Sequence, residues 1–200
     1  MTPAPDDAAS VRRGKADVVD AAMAVLDEHG IAGLSMRRIA DALDLQVSAL
    51  YWHFPNKQAL LAAVSARIVG ADTDGAETPQ DLAVIAAALR ERLLAHRDGA
   101  EVVSSSLALG LLDLPARAAL VQAALAAGLD ATAAEVASDT LVHYVIGYTF
   151  HEQQRMHASV VGAADASVDL APARIDDRGD TFDAGLAMVV AGVRSASALR

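Results

Sequence analysis

Apolar residues recur along most of the chain at helical spacing. Over residues 15–29, Val18, Ala22, Val25 and Leu26 fall at i, i+4, i+7 and i+8, one face of an α-helix. Gly30 follows as a C′ stop. Ser35 is placed as the N-cap of a second helix whose inner face is Met36, Ile39, Ala40 and Leu43. After a short turn at Asp44 and Leu45, residues 46–53 predict a third helix only about two turns long. Pro55 stops it, and Asn56 caps a fourth helix over 57–69.

The stretch 70–79 is rich in Gly, Asp and Thr and reads as a domain junction. Beyond it, helices are predicted over 80–96, 101–111, 115–127, 130–157 and 180–197, punctuated by Gly99, Pro115 and Gly128. Residues 158–179 lack this periodicity and read as a mobile loop, and residues 1–14 as a disordered tail. No alternating strand pattern, repeat or sustained heptad is present. The expected fold is all-α: a helix-turn-helix domain over 15–61, its linking helix over 57–69, and a larger helical domain over 70–200.

Composition narrows the function classes. Apolar residues make up 54% of the 200, which excludes a disordered chain, and the absence of cysteine excludes disulfides and thiolate metal sites. The first residues carry no apolar leader. The best apolar run, 141–150, is too short to span a bilayer and contains His143, so a cytoplasmic protein with no membrane partner is expected. The net charge of −10 argues against nucleic acid, but its distribution does not. Residues 1–70 hold seven Lys/Arg against eight Asp/Glu, and residues 71–200 nine against eighteen. An acidic body behind a near-neutral head would repel DNA and help orient the docking face. The same asymmetry is also what ordinary solvated-surface composition would give.

Two short helices joined by a tight turn have the geometry of a DNA-reading helix-turn-helix. On the second, Leu50 and either Val47 or Phe54 point inward, leaving Gln46, Ser48, Ala49, Tyr51, Trp52 and His53 outward. Exposed Tyr and Trp beside His suit DNA: their hydroxyl and N–H groups bond phosphates, and their apolar faces meet sugars and thymine methyls. Arg37 can reach a base edge or a phosphate. Lys57 opens the fourth helix, where free N–H groups favour a phosphate. The alternative is that the aromatic residues staple the third helix to the first and fourth.

The segment GLSMRRIADALDLQVSALYWHFPNKQALL, residues 33–61, closely resembles the DNA-binding domain of the tetracycline-repressor (TetR) family. LLAHRDGAEV (93–102), HYVIGYTFHEQQ (143–154) and FDAGLAMVVAGV (182–193) resemble segments of the core domain of the tetracycline repressors themselves, the second their long dimer-forming helix and the third their last helix. The resemblance implies a homodimeric repressor of palindromic operator DNA, dimerised through helices 130–157 and 180–197 and released by a small-molecule inducer. It implies DNA contacts at Arg37, Tyr51, Trp52, His53 and Lys57; Ser35, Gln46, Val47, Ser48 and Ala49 complete the candidate DNA surface. Val47, Ser48 and Ala49 stand where the tetracycline repressors have a Gln-Pro-Thr run, so a different operator is expected.

The ligand side departs further. Val103 stands where a tetracycline repressor has a magnesium-binding His, and His151 where it has the acid that holds the metal's water. Valine cannot ligate and His suits a hard cation poorly. Magnesium–tetracycline is therefore not the expected inducer, and no metal or other cofactor is expected. His143 matches a drug-contacting His. The expected pocket is apolar with a few polar anchors: Ile85, Leu89, Val103, Ser106, Leu107, His143, Gly147 and His151. Two rival readings stand beside this one. One is a DNA-binding regulator with no small-molecule inducer, controlled by a protein partner. The other is an all-helical enzyme, for which no nucleophile–base pair, carboxylate pair or phosphate loop is found.

Overall fold

The computed structural model describes residues 14–70, 81–162 and 178–198. The expected tail over 1–14 (apart from Gly14), most of the junction over 70–79 and most of the loop over 158–179 lie outside the described residues. Within them the chain forms α1 (Lys15–Gly33), α2 (Met36–Ala42), α3 (Val47–Tyr51), α4 (Lys57–Val69), α5 (Leu82–Leu94), α6 (Gly99–Ala108), α7 (Pro115–Ala126), α8 (Ala131–Gly162) and α9 (Arg178–Ala198), with no strand.

Local chemistry sets the helix ends. The Ser35 hydroxyl accepts the Arg38 N–H at 3.2 Å, and Asn56 Oδ1 accepts the Ala59 N–H at 2.8 Å. Asp81 Oδ1 accepts from Ala83 and Val84 at the start of α5. Each bond satisfies an amide that the first helical turn leaves without a partner. Pro115 occupies the first turn of α7, where its missing N–H costs nothing.

Gly30 ends the regular part of α1 at a left-handed φ of 69°, as expected, and one further helical turn follows through Gly33. Other helix ends differ from the sequence expectation. Gly99 opens α6 instead of separating two helices. The reversal is made one residue earlier, by Asp98 at φ 55°, and the bare Gly99 Cα packs against the Leu93 carbonyl, where a side chain would not fit. The helices beside the expected loop are longer than their apolar pattern indicated: α8 continues to Gly162 and α9 begins at Arg178.

α1 to α3 and the first half of α4 form the head, closed over Val18, Ala22, Leu26, Ile39, Leu50, Phe54 and Leu60, all buried. α5 to α9 form the core around Leu89, Leu93, Val102, Leu120, Leu141, Val145 and Phe182. The two apolar clusters are continuous, because α4 runs from one into the other and buries Val64, Ser65 and Ile68 on the way. α8, the longest helix, packs against α5, α6, α7 and α9. Among the described residues no helix is long and apolar enough to cross a membrane.

Candidate nucleic-acid interface

The turn before α3 is closed by the Leu45 N–H donating to the Ala40 carbonyl at 2.9 Å, with Asp44 left-handed at φ 54°. Gln46 is the extended N-cap, and α3 proper is shorter at both ends than the 46–53 span expected from sequence. Trp52 caps its C-terminal end, and His53 and Phe54 both donate their N–H groups to the Leu50 carbonyl in a tight final turn. This turn sends neighbouring aromatic residues opposite ways. Phe54 is 1% exposed, with the Lys15 ammonium 5.1 Å from its ring centroid. Trp52 is 90% exposed and Tyr51 51%. Of the two expected inner partners of Leu50, Phe54 is therefore the buried one, and Val47 is half-buried.

Gln46 and Ser48 are exposed, and Ala49 and His53 are half-buried. Arg37 is exposed and its guanidinium has no hydrogen bond or ion pair among the described residues, whereas that of Arg38 is tied to the Gly33 carbonyl at 2.9 Å. Lys57 is half-buried at the start of α4, also without an ion-pair partner among the described residues. The Ser35 hydroxyl is occupied by the α2 cap. The surface thus combines two uncommitted cations, an indole, a phenol and a short row of small polar groups. That set can bond phosphates and meet base edges.

The expected ligand residues divide into two sets. Ile85, Leu89, Val103 and Ser106 are buried and Leu107 half-buried, inside the α5–α6 side of the core. His143, Gly147 and His151 are exposed and share one outer face of α8, since they are four residues apart. His143 Nδ1 donates to the Asp139 carbonyl of its own helix at 2.6 Å, and space around Gly147 is open. Within one chain these three do not join the other five, because residues 142, 145, 146 and 149 of α8 face the core instead. A cleft of about 790 Å³ opens elsewhere, between α1, α4 and α5, lined by Met23, Ala63, Arg67, Ile68, Arg92 and His96 among others; it includes none of the eight. No group of His, Asp and Glu that could hold a metal is found among the described residues.

Apart from Ser106, sequence reasoning missed the buried polar groups of the core. Arg90 and Glu152 form a two-pronged ion pair (2.9–3.2 Å) between α5 and α8, and Arg90 lies 4.6 Å from the Phe182 ring centroid. Tyr144 donates to the Phe182 carbonyl at 2.8 Å, and burial raises its pKa above the usual phenol value. Gln153 is buried and bonds the Leu93 and His96 carbonyls and the Ala100 N–H. The Ser65 and Ser106 hydroxyls meet at 2.8 Å between α4 and α6, and Ser65 also donates to the Val102 carbonyl. Thr149 is buried, and its hydroxyl has no hydrogen-bond partner among the described residues. The only signal in the sequence was polar residues on otherwise apolar faces, which does not say what they meet.

A short reading helix on a compact head, carried by a larger helical core, defines a DNA-binding regulator. Residues 18–64 match the family described as bacterial regulatory proteins, tetR family, and residues 73–196 match the tetracyclin repressor-like C-terminal domain. The chain is 31% identical over 193 residues to the class A tetracycline repressor protein from transposon 1721 of Escherichia coli, covering 88% of each chain. Among solved structures it is similar to Mycobacterium smegmatis BioQ, with 38% identity, a TM-score of 0.74, and coverage of 92% of this chain and 99% of that one. It is equally similar to BioQ with its natural double-stranded DNA operator: 38% identity, TM-score 0.73 and the same coverage. The chain belongs to the TetR family of bacterial regulatory proteins and is a DNA-binding transcriptional repressor.

Proposed function

We propose that this repressor binds a palindromic operator as a homodimer, reads it with α3, and is released by a small, largely apolar molecule. The observation that carries the DNA half is the outward Tyr51–Trp52 pair on a segment whose other large residues, Leu50 and Phe54, are sealed inside. At 90% exposure the Trp52 indole adds little to the closed core of the head and is free to meet a partner. That the similar BioQ is solved with its double-stranded DNA operator supports operator binding as such. In this reading Tyr51, Trp52, His53 and Lys57 grip the backbone with Arg37 at a base edge, while Gln46, Val47, Ser48 and Ala49 choose bases. Ser35 holds the start of α2 close to the DNA.

Dimerisation through α8 and α9 is supported by what their outer faces present. Val136 is 61% exposed and Met188 75% exposed, and open space surrounds Gly147 and Gly192, so a partner helix can approach closely. Two further small residues of these helices, Ala137 and Gly185, do not serve this face. Ala137 is buried, and Gly185 is covered by the Tyr144 hydroxyl of the same chain. In the dimer His143, Gly147 and His151 belong to this outer face, and Ile85, Leu89, Val103, Ser106 and Leu107 remain as the core-side ligand set. A ligand lodging there would act on α4 through the Ser65–Ser106 contact, favouring a head separation that no longer matches successive major grooves, about 34–36 Å apart.

Selection of bound DNA from a random pool at fixed salt tests the reading. A palindromic output supports it; a non-palindromic output, or a chain that runs as a monomer at micromolar concentration, overturns it. Replacing Ser48 is expected to change the selected bases, whereas Tyr51→Ala and Lys57→Ala weaken binding to every sequence. Magnesium with tetracycline leaves operator affinity unchanged, because Val103 offers no ligand. If apolar compounds screened against the purified dimer never weaken operator binding, control by a protein partner replaces the inducer.

A further inference from the structure

α4 passes continuously from head to core, but one helix cannot by itself fix the head's attitude: the head could still rotate about the helix axis. A second contact away from that axis is required. It is made by residues 96–98, between α5 and α6. His96 Nδ1 lies 3.1 Å from the Asp27 carboxylate, and the Arg97 N–H donates to the same carboxylate at 3.2 Å. The Arg97 guanidinium donates to the Glu28 carbonyl at 2.9 Å. Asp98 Oδ2 accepts the Ile31 N–H at 2.8 Å.

The break at Gly30 makes the last bond available, because it frees the Ile31 amide from the helical ladder of α1. It also admits the loop: a Cβ on Gly30 would stand 2.6 Å from Asp98 Oδ2. Asp98 is itself left-handed and buried, a conformation that surrounding contacts must hold in place. Those contacts come from α8. Gln153 bonds the carbonyls of Leu93 and His96 and the N–H of Ala100, and His157 Nδ1 lies 3.3 Å from Asp98 Oδ1. The loop is therefore gripped on one side by the head's first helix and on the other by the helix assigned above to the dimer face.

We propose that residues 96–98 set the attitude of each head relative to α8 and thereby determine which half-site spacing the dimer accepts, with Asp98 as the positioning residue. Asp98 does not touch DNA; it acts through Ile31 and α1. Inserting one base pair between half-sites moves them apart by about 3.4 Å and turns them by about a tenth of a turn. A head held at two points rejects that change, and a head held by α4 alone follows it.

The inference rests on dimeric operator binding, and the test separates the two. The full-length protein is titrated, at one salt concentration, with duplexes carrying its selected half-sites at the selected spacing and with one base pair added or removed. If selection yields no palindrome for the wild type, the function reading fails before this inference is reached. With a palindrome in hand, the wild type is expected to prefer the selected spacing by about tenfold or more. Asp98→Gly keeps the left-handed backbone at no steric cost but loses the acceptor, and is expected to bind all three spacings within about threefold of one another. Its preference among half-site bases should be unchanged. Asp98→Asn keeps an acceptor and tolerates this backbone, so it restores the discrimination. Asp27→Ala, at an exposed partner position whose loss leaves both apolar clusters intact, relaxes the spacing partially. Hydrogen exchange of the Ile31 amide should rise in Asp98→Gly and stay slow in Asp98→Asn. Undiminished spacing discrimination in both Asp98→Gly and Asp27→Ala overturns the inference. So does an equal loss of affinity at every spacing in a folded Asp98→Gly dimer.

Discussion

In the head, Trp52 and Tyr51 stand in solvent while Leu50 and Phe54, on the same short segment, are sealed in the apolar interior. In the core, Arg90, Glu152 and Gln153 are turned inward, and their partners come from other helices. The head keeps its chemistry on its surface and separates it cleanly from what holds the fold. The core places polar groups among its apolar contacts, so the residues that could transmit a signal also hold the helices in register. Substitutions in the head should therefore separate stability from DNA binding, and those in the core should not.

The largest stability effect tests the first half of that contrast. Phe54→Ala is expected to cost about 3–5 kcal/mol by chemical denaturation, because it empties a fully enclosed ring site. Glu152→Leu tests the second half. It leaves Arg90 mostly buried without its carboxylate, and about 3 kcal/mol of destabilisation is expected, accompanied by altered operator affinity. Loss of stability with unchanged affinity per folded dimer would mean that this ion pair only holds the core. Asn56→Ala removes the α4 cap beside the DNA face and should cost about 1 kcal/mol. Trp52→Ala should leave stability within about 0.5 kcal/mol of wild type while strongly weakening operator binding. If Trp52→Ala unfolds the protein as Phe54→Ala does, the separation proposed for the head is wrong.

The head was largely legible in the sequence because its determinants are local. Ser35 and Asn56 cap helices that begin one residue later, Asp44 and Leu45 mark the turn, and Leu50 and Phe54 fall at helical spacing. The core was legible as a set of helices but not as a site. Its polar contacts join residues far apart in the chain: Gln153 to Ala100, Arg90 to Glu152, Asp98 to Ile31. Helical periodicity gives each residue a face but not the neighbour that face meets. His143 and His151 enter the candidate pocket through the family resemblance, and within one chain α8 turns them, with Gly147, away from Val103. Gly99 differs for a related reason. It reads as a stop from its own propensity, but it opens a helix because Asp98 has already made the turn.

Trp52 is the sole tryptophan of the sequence, and it stands almost wholly in solvent at the end of α3. Indole emission depends on the polarity around the ring, so the native protein carries a single optical probe at its proposed docking surface, with no second indole in the core. Excited selectively, the free repressor should emit close to indole in water. Operator docking should then quench or shift that emission, while occupancy of the core alone should leave it nearly unchanged. Arrival at DNA and the arrival of a ligand can thus be timed separately in the unlabelled wild-type protein.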